Sequence, residues 1–315
     1  MNKILSYLLL AFVIAALVIG IDFWKEKRDG NLPGKNEQYY KIVALPTPDT
    51  LDFAGEEVPL NLFYAKESLD KELSINTYWH SSTLQLMKKT HRWFPLIEDI
   101  LKKNNIPDDF KYLAVIESGL SNVTSPAGAK GYWQLMKGTA KDYDLQVDKY
   151  VDERYNVKKS TEVACKYLQK SYDKFGSWTM AAASYNAGIT GMLKQIDRQN
   201  EKSYYDLLLN DETARYIYRI LATKLIYENP ENYGFYLDEQ DYYEPIPTKI
   251  VEVKTSIEDW ADFASQQGIS YKLLKYFNPW LRQKDIKNRK KKTYYIEIPE
   301  EPYNMTHIAR KTNKQ

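Results

Sequence analysis

The stretch Phe110-Lys111-Tyr112-Leu113-Ala114-Val115-Ile116-Glu117-Ser118-Gly119 decides how the rest of the chain is read. Phe110, Leu113, Ala114 and Glu117 recur at i, i+3, i+4 and i+7, which is one face of an α-helix. Pro107, Asp108 and Asp109 suit a first helical turn, and Gly119 suits a C-terminal cap. An apolar stripe therefore ends on a carboxylate. Burial there disfavours the charged form and raises the pKa, which is the condition for a general acid. Spacing alone leaves a second reading open, in which the side chain turns to the helix edge and meets water.

Three segments downstream bear on that choice. The first runs from Ser125 through Gly128, Gly131, Tyr132, Trp133, Gln134 and Leu135 to Met136. Its glycines allow tight turns and close backbone approach, and its aromatic and aliphatic residues supply apolar bulk. Gln134 inside that run is expected to be a buried amide in need of partners, which a sugar can provide. The second begins at Gly176-Ser177, with Ser177 as a helix cap. It continues through three consecutive alanines, a sign of close helix contact, and stops at Tyr185-Asn186-Ala187-Gly188. Tyr185 and Asn186 also read as ordinary helix terminators. The third, Glu212-Thr213-Ala214-Arg215-Tyr216, opens a helix with Tyr216 one turn in.

Around these the chain is mainly α. Residues 1–23 read as a signal peptide or signal anchor: Lys3 precedes an uncharged stretch from Ile4 to Ile21, long enough to span a bilayer. Residues 24–74, rich in Pro and Gly, read as a tether with a short helix from about residue 60. Residues 75–235 read as a helical domain, with helices at Thr77–Lys89, His91–Asn104, Asp108–Ser118, Thr139–Tyr143, Val157–Phe175, Trp178–Tyr185 and Thr213–Glu228. A linker at 236–248 carries Pro245 and Pro247. Residues 249–299 then form a small β-α-α-β module: strands at Lys249–Lys254 and Thr293–Pro299 bracket helices at Ile257–Gln267 and Tyr271–Phe277. Residues 300–315 are a tail.

Bulk composition removes several functions. A net charge of +2 gives no general case for a nucleic-acid partner. Three widely spaced histidines and a lone cysteine, Cys165, argue against a metal site, a His-based triad or an internal disulfide, so neither metal nor cofactor is assigned. Aromatics are abundant at 14% of the chain; most are expected in the core, although a flat ring with a polar edge also suits a sugar face.

In order, the chain holds Glu117-Ser118, the run from Ser125 to Met136, and Asp152-Glu153-Arg154 with Ser160-Thr161. Ser184-Tyr185-Asn186-Ala187-Gly188 and Glu212-Thr213-x-x-Tyr216 follow. This series resembles the lysozyme-like lytic murein transglycosylases over about residues 75–235. The stretch from Glu117 to Ser125 is one residue shorter than is usual there and lacks the family's common proline. The resemblance implies a lysozyme-like helical catalytic domain with Glu117 as the single acid/base, acting on peptidoglycan glycan strands. It further implies that Ser125 contacts the sugar's N-acetyl or ring substituents. Gln134, Met136, Tyr185 and Asn186 would line the glycan groove, with Tyr185 or Tyr216 hydrogen-bonding near the acid.

Asp142, Asp144, Asp148, Asp152 and Glu153 fall in polar stretches expected to be exposed, Asp152 as a cap or salt-bridge partner. The C-terminal block resembles a LysM module, with Thr255-Ser256-Ile257-Glu258-Asp259 in place of the usual Gly-Asp-Thr-Leu entry. Residues 282–292 hold seven basic residues, read as a solvated loop or as a patch for anionic polymer or lipid. Lys25, Lys27 and Arg28 outnumber Lys3, which argues against export. The wall-directed resemblance argues for the periplasmic side of the envelope, with the membrane as partner through the N-terminal segment. A muramidase on the same scaffold and a non-catalytic wall-binding protein are the competing readings.

Overall fold

The computed structural model describes residues 42–304, so the N-terminal apolar segment lies outside the described residues. Among those described, no helix is long and apolar enough to cross a membrane.

The span expected to be a tether is largely part of the helical domain. Strands β1 (Asp52–Phe53) and β2 (Glu56–Glu57) pair antiparallel across a turn in which Ala54 and Gly55 take positive φ of 54° and 80°. Phe53 is fully buried and meets Phe110 edge-on at 5.3 Å. The hairpin is further tied down by the Asp109 carboxylate, which accepts from the Ala54 amide at 2.7 Å and from Lys224 Nζ at 2.8 Å. Helix α1 (Phe63–Tyr78) then buries Ala65, Leu69 and Leu73. Proline and glycine mark where this segment turns, but its apolar residues still need the core.

The next break falls at Trp79 rather than Thr90. Helix α2 runs unbroken from His80 to Lys103 and contains Pro95. The polar run Lys88-Lys89-Thr90-His91 contains no helix breaker, so the chain continues through it. At Trp79 the backbone leaves helical geometry (ψ 46°), and the Thr83 hydroxyl bonds the Asn76 carbonyl across the gap at 2.5 Å.

After a 3₁₀ turn at Asp108–Phe110 comes helix α3 (Lys111–Ser118), closed by Gly119 in the left-handed region as its sequence predicts. Short helix α4 (Lys137–Asp142) leads to α5 (Val157–Phe175) and α6 (Trp178–Ala187). Ala181, Ala182 and Ala183 are fully buried, as their run suggests. Helix α7 (Ile189–Gln199) was not expected, because Gly188 reads as a break. Its signal is Ile189, Met192, Leu193 and Ile196 at i, i+3, i+4 and i+7. Helix α8 (Asp211–Glu228) buries residues on almost every side and packs against α1, α3 and α6, so it is the central post of the domain.

The C-terminal module has the expected order: β3 (Thr248–Val253), α9 (Trp260–Gln266), α10 (Tyr271–Phe277) and β4 (Tyr294–Pro299). The strands pair antiparallel with Val251 opposite Ile296. Its core of Trp260, Phe263, Leu274, Ile286 and Ile296 also takes in Val151 and Tyr155 from the helical domain. Backbone bonds join the two: the Asp152 amide to the Trp280 carbonyl at 2.9 Å, and the Arg282 amide to the Tyr150 carbonyl at 2.8 Å. The linker is pinned as well, its Tyr243 amide bonding the Lys88 carbonyl at 2.9 Å.

Helix α6 receives its N-terminal acceptor from far away in sequence. The Glu56 carboxylate accepts from the Ser177 hydroxyl at 2.8 Å, the Thr179 amide at 2.9 Å and the Trp178 amide. Burial pushes the Glu56 pKa up, but these hydrogen bonds outweigh it and hold the group below its ordinary value of 4.5. Glu56→Ala is expected to lose about 1–2 kcal/mol in urea denaturation near neutral pH. Because the folded pKa is depressed, the charged contribution is full above 4.5 and is lost as pH falls through the folded value. The gap between wild type and variant should therefore narrow in acid.

Candidate active site

Helix α3 ends by necessity just beyond Glu117, since Gly119 (φ 58°) turns the backbone into a conformation most side chains avoid. The stripe behind Glu117 is fully buried at Phe110, Leu113 and Ala114, and Glu117 itself is half-buried. Central helix α8 delivers Tyr216, 1% exposed, whose hydroxyl donates a short hydrogen bond to Glu117 Oε1. One turn on, Arg219 donates from Nη2 to the Ile116 carbonyl at 3.0 Å, next to the acid in sequence.

These neighbours pull the carboxyl in opposite directions. Burial dominates and raises the Glu117 pKa; the Tyr216 hydrogen bond and the Arg219 charge work against it, and the Glu212 charge adds to it. The net shift is upward. Tyr216 is driven well above its ordinary value by burial and by the Glu117 charge, so it remains a donor.

The loop after Gly119 is fixed from inside. A Cβ on Gly131 (φ 79°) would sit 1.9 Å from the Arg154 carbonyl oxygen, so only glycine fits. The Arg154 guanidinium is buried. It donates to the carbonyls of Gly128 at 3.1 Å and Leu135 at 3.2 Å while pairing with Asp152 at 2.8 Å. Trp133 anchors the far side through Nε1 to Thr161 Oγ1 at 2.7 Å. Ser118 Oγ ties the end of α3 to this loop by donating to the Tyr132 carbonyl at 2.8 Å.

The expected site residues occupy distinct positions. Of the two tyrosines offered as partners of the acid, Tyr216 makes the bond. The Tyr185 hydroxyl instead donates to the Trp133 carbonyl at 2.7 Å, although the Glu117 charge is near enough to raise its pKa after burial has done most of the work. Asn186 donates to Glu212 Oε1 at 2.9 Å and accepts from the Thr213 hydroxyl at 2.8 Å, joining the end of α6 to the start of α8. Ser125 sits in a turn, its hydroxyl accepting from the Ala129 amide at 3.0 Å. Gln134 is half-buried in a left-handed conformation (φ 44°), and its amide already donates to the Gly131 carbonyl at 2.7 Å. The expected unpartnered amide is thus supplied by backbone. Met136 is 47% exposed, unlike Tyr132, Trp133 and Leu135 before it.

Two expectations about carboxylates are overturned. Asp152 and Glu153 are buried, not exposed, because Arg154 and Lys159 neutralise them, although Asp152 is the cap and salt-bridge partner expected of it. Glu212 escaped notice as a neighbour of the acid, since an exposed Glu at a helix start reads as a dipole partner. Arg219 was also missed, although its spacing of three from Tyr216 places both on one helix face.

Residues 94–208 match the model of the transglycosylase SLT domain, and residues 249–302 match that of the soluble lytic transglycosylase C-terminal LysM-like domain. The chain carries an SLT domain followed by a LysM-like domain. It is 29% identical over 242 residues to membrane-bound lytic murein transglycosylase D of Escherichia coli K12, covering 74% of this chain and 52% of that protein. A putative tributyltin chloride resistance protein of Alteromonas sp. M-1 is 30% identical over 105 residues, 33% of this chain and 51% of its own. The chain thus spans about half the length of these curated relatives. The crystal structure of the 70 kDa soluble lytic transglycosylase of Escherichia coli superposes with a TM-score of 0.40 at 18% identity, over 60% of this chain and 32% of that one.

Glu117, Tyr185 and Asn186 of the candidate site fall inside the matched SLT segment, whereas Tyr216 and Arg219 lie beyond its end. The loop of the SLT domain leans on the buried Arg154–Asp152 pair. Arg154→Met would leave Asp152 only the longer pair to Lys130 at 3.8 Å and strand two carbonyl oxygens, and we expect a loss of about 3 kcal/mol in denaturant titration. Gly131→Ala should also destabilise, through the clash with the Arg154 carbonyl.

Proposed function

We propose that this chain is a peptidoglycan lytic transglycosylase in which Glu117 alone serves as general acid and then general base. The observation carrying the reading is a half-buried carboxyl with a raised pKa, bonded by a buried tyrosyl hydroxyl inside an SLT domain. In this mechanism Glu117 protonates the oxygen bridging N-acetylmuramic acid and N-acetylglucosamine, and the bond from that oxygen to the muramic C1 breaks. The substrate's acetamido group shares the positive charge that develops. The muramic C6 hydroxyl then attacks C1, and Glu117, now a carboxylate, takes its proton. The product is a 1,6-anhydro end; no water is consumed and the acid is restored. Intramolecular attack supplies by proximity what a second carboxylate provides in ordinary glycosidases.

Tyr216 would orient Glu117 and stabilise its charged interval. Tyr185 and Asn186 would shape the groove wall, with Ser125, Gln134 and Met136 on the loop opposite. The relation to a membrane-bound murein transglycosylase supports an envelope location on the periplasmic side, with anchoring or cleavage assigned to the N-terminal segment.

Glu117→Gln should abolish release of soluble fragments from purified sacculi while leaving the circular dichroism spectrum unchanged; retained turnover would discard the assignment. Mass analysis of wild-type products should find ends that borohydride does not reduce, and reducible ends would mark a hydrolase instead. The pH profile carries its own signs. Glu117 must start protonated, so kcat/KM should fall as pH rises through its elevated pKa. Arg219→Met removes a charge that lowers that pKa and should move the alkaline limb up; Glu212→Gln should move it down.

A further inference from the structure

Away from Glu117, a cavity of about 650 Å³ opens between the SLT domain, the linker and the LysM-like domain. That volume is in the range that holds a drug-sized molecule, and domain junctions are common places for such sites. Trp93, Tyr132, Tyr155 and Phe277 give it aromatic walls. Four cationic side chains line it, Lys89, Arg92, Lys158 and Lys275, against a single carboxyl, Glu297.

None of the four cations forms an ion pair among the described residues. Lys89 is held by the Gly119 carbonyl and the Ser121 hydroxyl, Arg92 by the Glu244 carbonyl and the Tyr276 hydroxyl, and Lys275 by the carbonyls of Leu281 and Gln283. These neutral acceptors orient the charges without cancelling them. Burial pushes Lys275 down to about 8 and lowers Lys89 as well, so an anion entering here would recover lost charge stabilisation. Lys158 is exposed, and its side chain makes no hydrogen bond among the described residues, although its charge acts on Glu297. Glu297 projects from β4 with no hydrogen bond to its carboxyl among the described residues; burial raises its pKa, and the Lys158 charge offsets part of that rise. A polyanion such as a nucleotide would meet that carboxyl unfavourably, whereas a ligand bearing an ammonium or N–H group would satisfy it. A neutral sugar would leave every charge unused.

We propose that this junction binds a short zwitterionic peptide with more carboxylates than ammonium groups, its carboxylates on Lys158, Lys275 and Arg92 and an N–H donor on Glu297. Resting on the proposed function, this deepens it: the occupant is the stem peptide of the wall polymer, held apart from the glycan groove.

The test is calorimetry on the full wild-type chain with the free tetrapeptide L-alanyl-γ-D-glutamyl-meso-diaminopimelyl-D-alanine, beside neutral chitotetraose. Tryptophan emission serves as a second readout, because Trp93 and Trp280 line the cavity. The peptide should bind and change that emission. Lys158→Glu should weaken it by about ten-fold or more with an unchanged circular dichroism spectrum, and Glu297→Gln should weaken it without unfolding. Chitotetraose signals should be unaffected by Lys158→Glu. Absence of peptide binding to wild type, or an unchanged affinity in Lys158→Glu, overturns the proposal. Neither readout needs catalysis: a protein that cleaves sacculi but ignores the peptide defeats this inference alone, and one that binds peptide but cleaves nothing defeats only the proposed reaction.

Discussion

One hydrogen bond organises this protein: the buried Tyr216 hydroxyl donating to Glu117. It joins two helices that have opposite reasons to exist. Helix α3 is short, stops at Gly119 and brings a carboxylate to its end. Helix α8 is long and buried on nearly all sides, and so cannot shift without disturbing α1, α3 and α6 together. A group held by such a post keeps its geometry through the packing of the whole core. The Arg219 bond to the Ile116 carbonyl adds a second tie, one turn along the same helix. Supporting groups drawn from the domain's centre leave the acid little freedom to rotate.

The same economy governs the loop between Gly119 and Met136. Its backbone visits left-handed geometry at Leu120 and Gln134 as well as at its glycines, which an unsupported loop would abandon. What holds it is Arg154, whose guanidinium reaches two loop carbonyls while Asp152 neutralises it. The Asp152 amide in turn donates to a carbonyl of the LysM-like domain, that of Trp280. Loop, buried ion pair and C-terminal domain are therefore one connected structure. An isolated bead on a flexible linker would contribute nothing to the loop; here the second domain bonds the segment around Asp152 that supports it.

Much of this was readable from residue order. The face formed by Phe110, Leu113 and Ala114, the cap at Ser177, the alanine run and the β-α-α-β order all follow from local rules, and each takes the expected form. What was hidden depends on distance in sequence. Residues 24–74 read as a tether because their turns are conspicuous, and only the partner Phe110 reveals Phe53 as part of a core, with Lys224 bonding Asp52 at its edge. Asp152 and Glu153 look solvated until Arg154 and Lys159 are placed against them. Gln134 is the instructive error: a polar residue in an apolar run does need partners, but a left-handed backbone lets it find them on its own loop. Helix α7 was concealed by the break at Gly188, although its apolar spacing is regular.

The balance of forces on Glu117 bears on how one residue can serve twice. An acid that only donates is best served by burial with nothing to welcome its anion. A base that only accepts is best served by a fully stabilised carboxylate. Here burial favours the protonated acid, while the Tyr216 hydrogen bond and the Arg219 charge favour the carboxylate. Each opposes the other in the resting pKa, and the opposition is useful because the two states follow one another in the proposed reaction. Removing the tyrosyl hydroxyl would make Glu117 a more persistent acid and a poorer place for the charge it must carry between steps. In the proposed reaction the arrangement would trade some readiness in the resting state for a lower barrier between the two proton transfers.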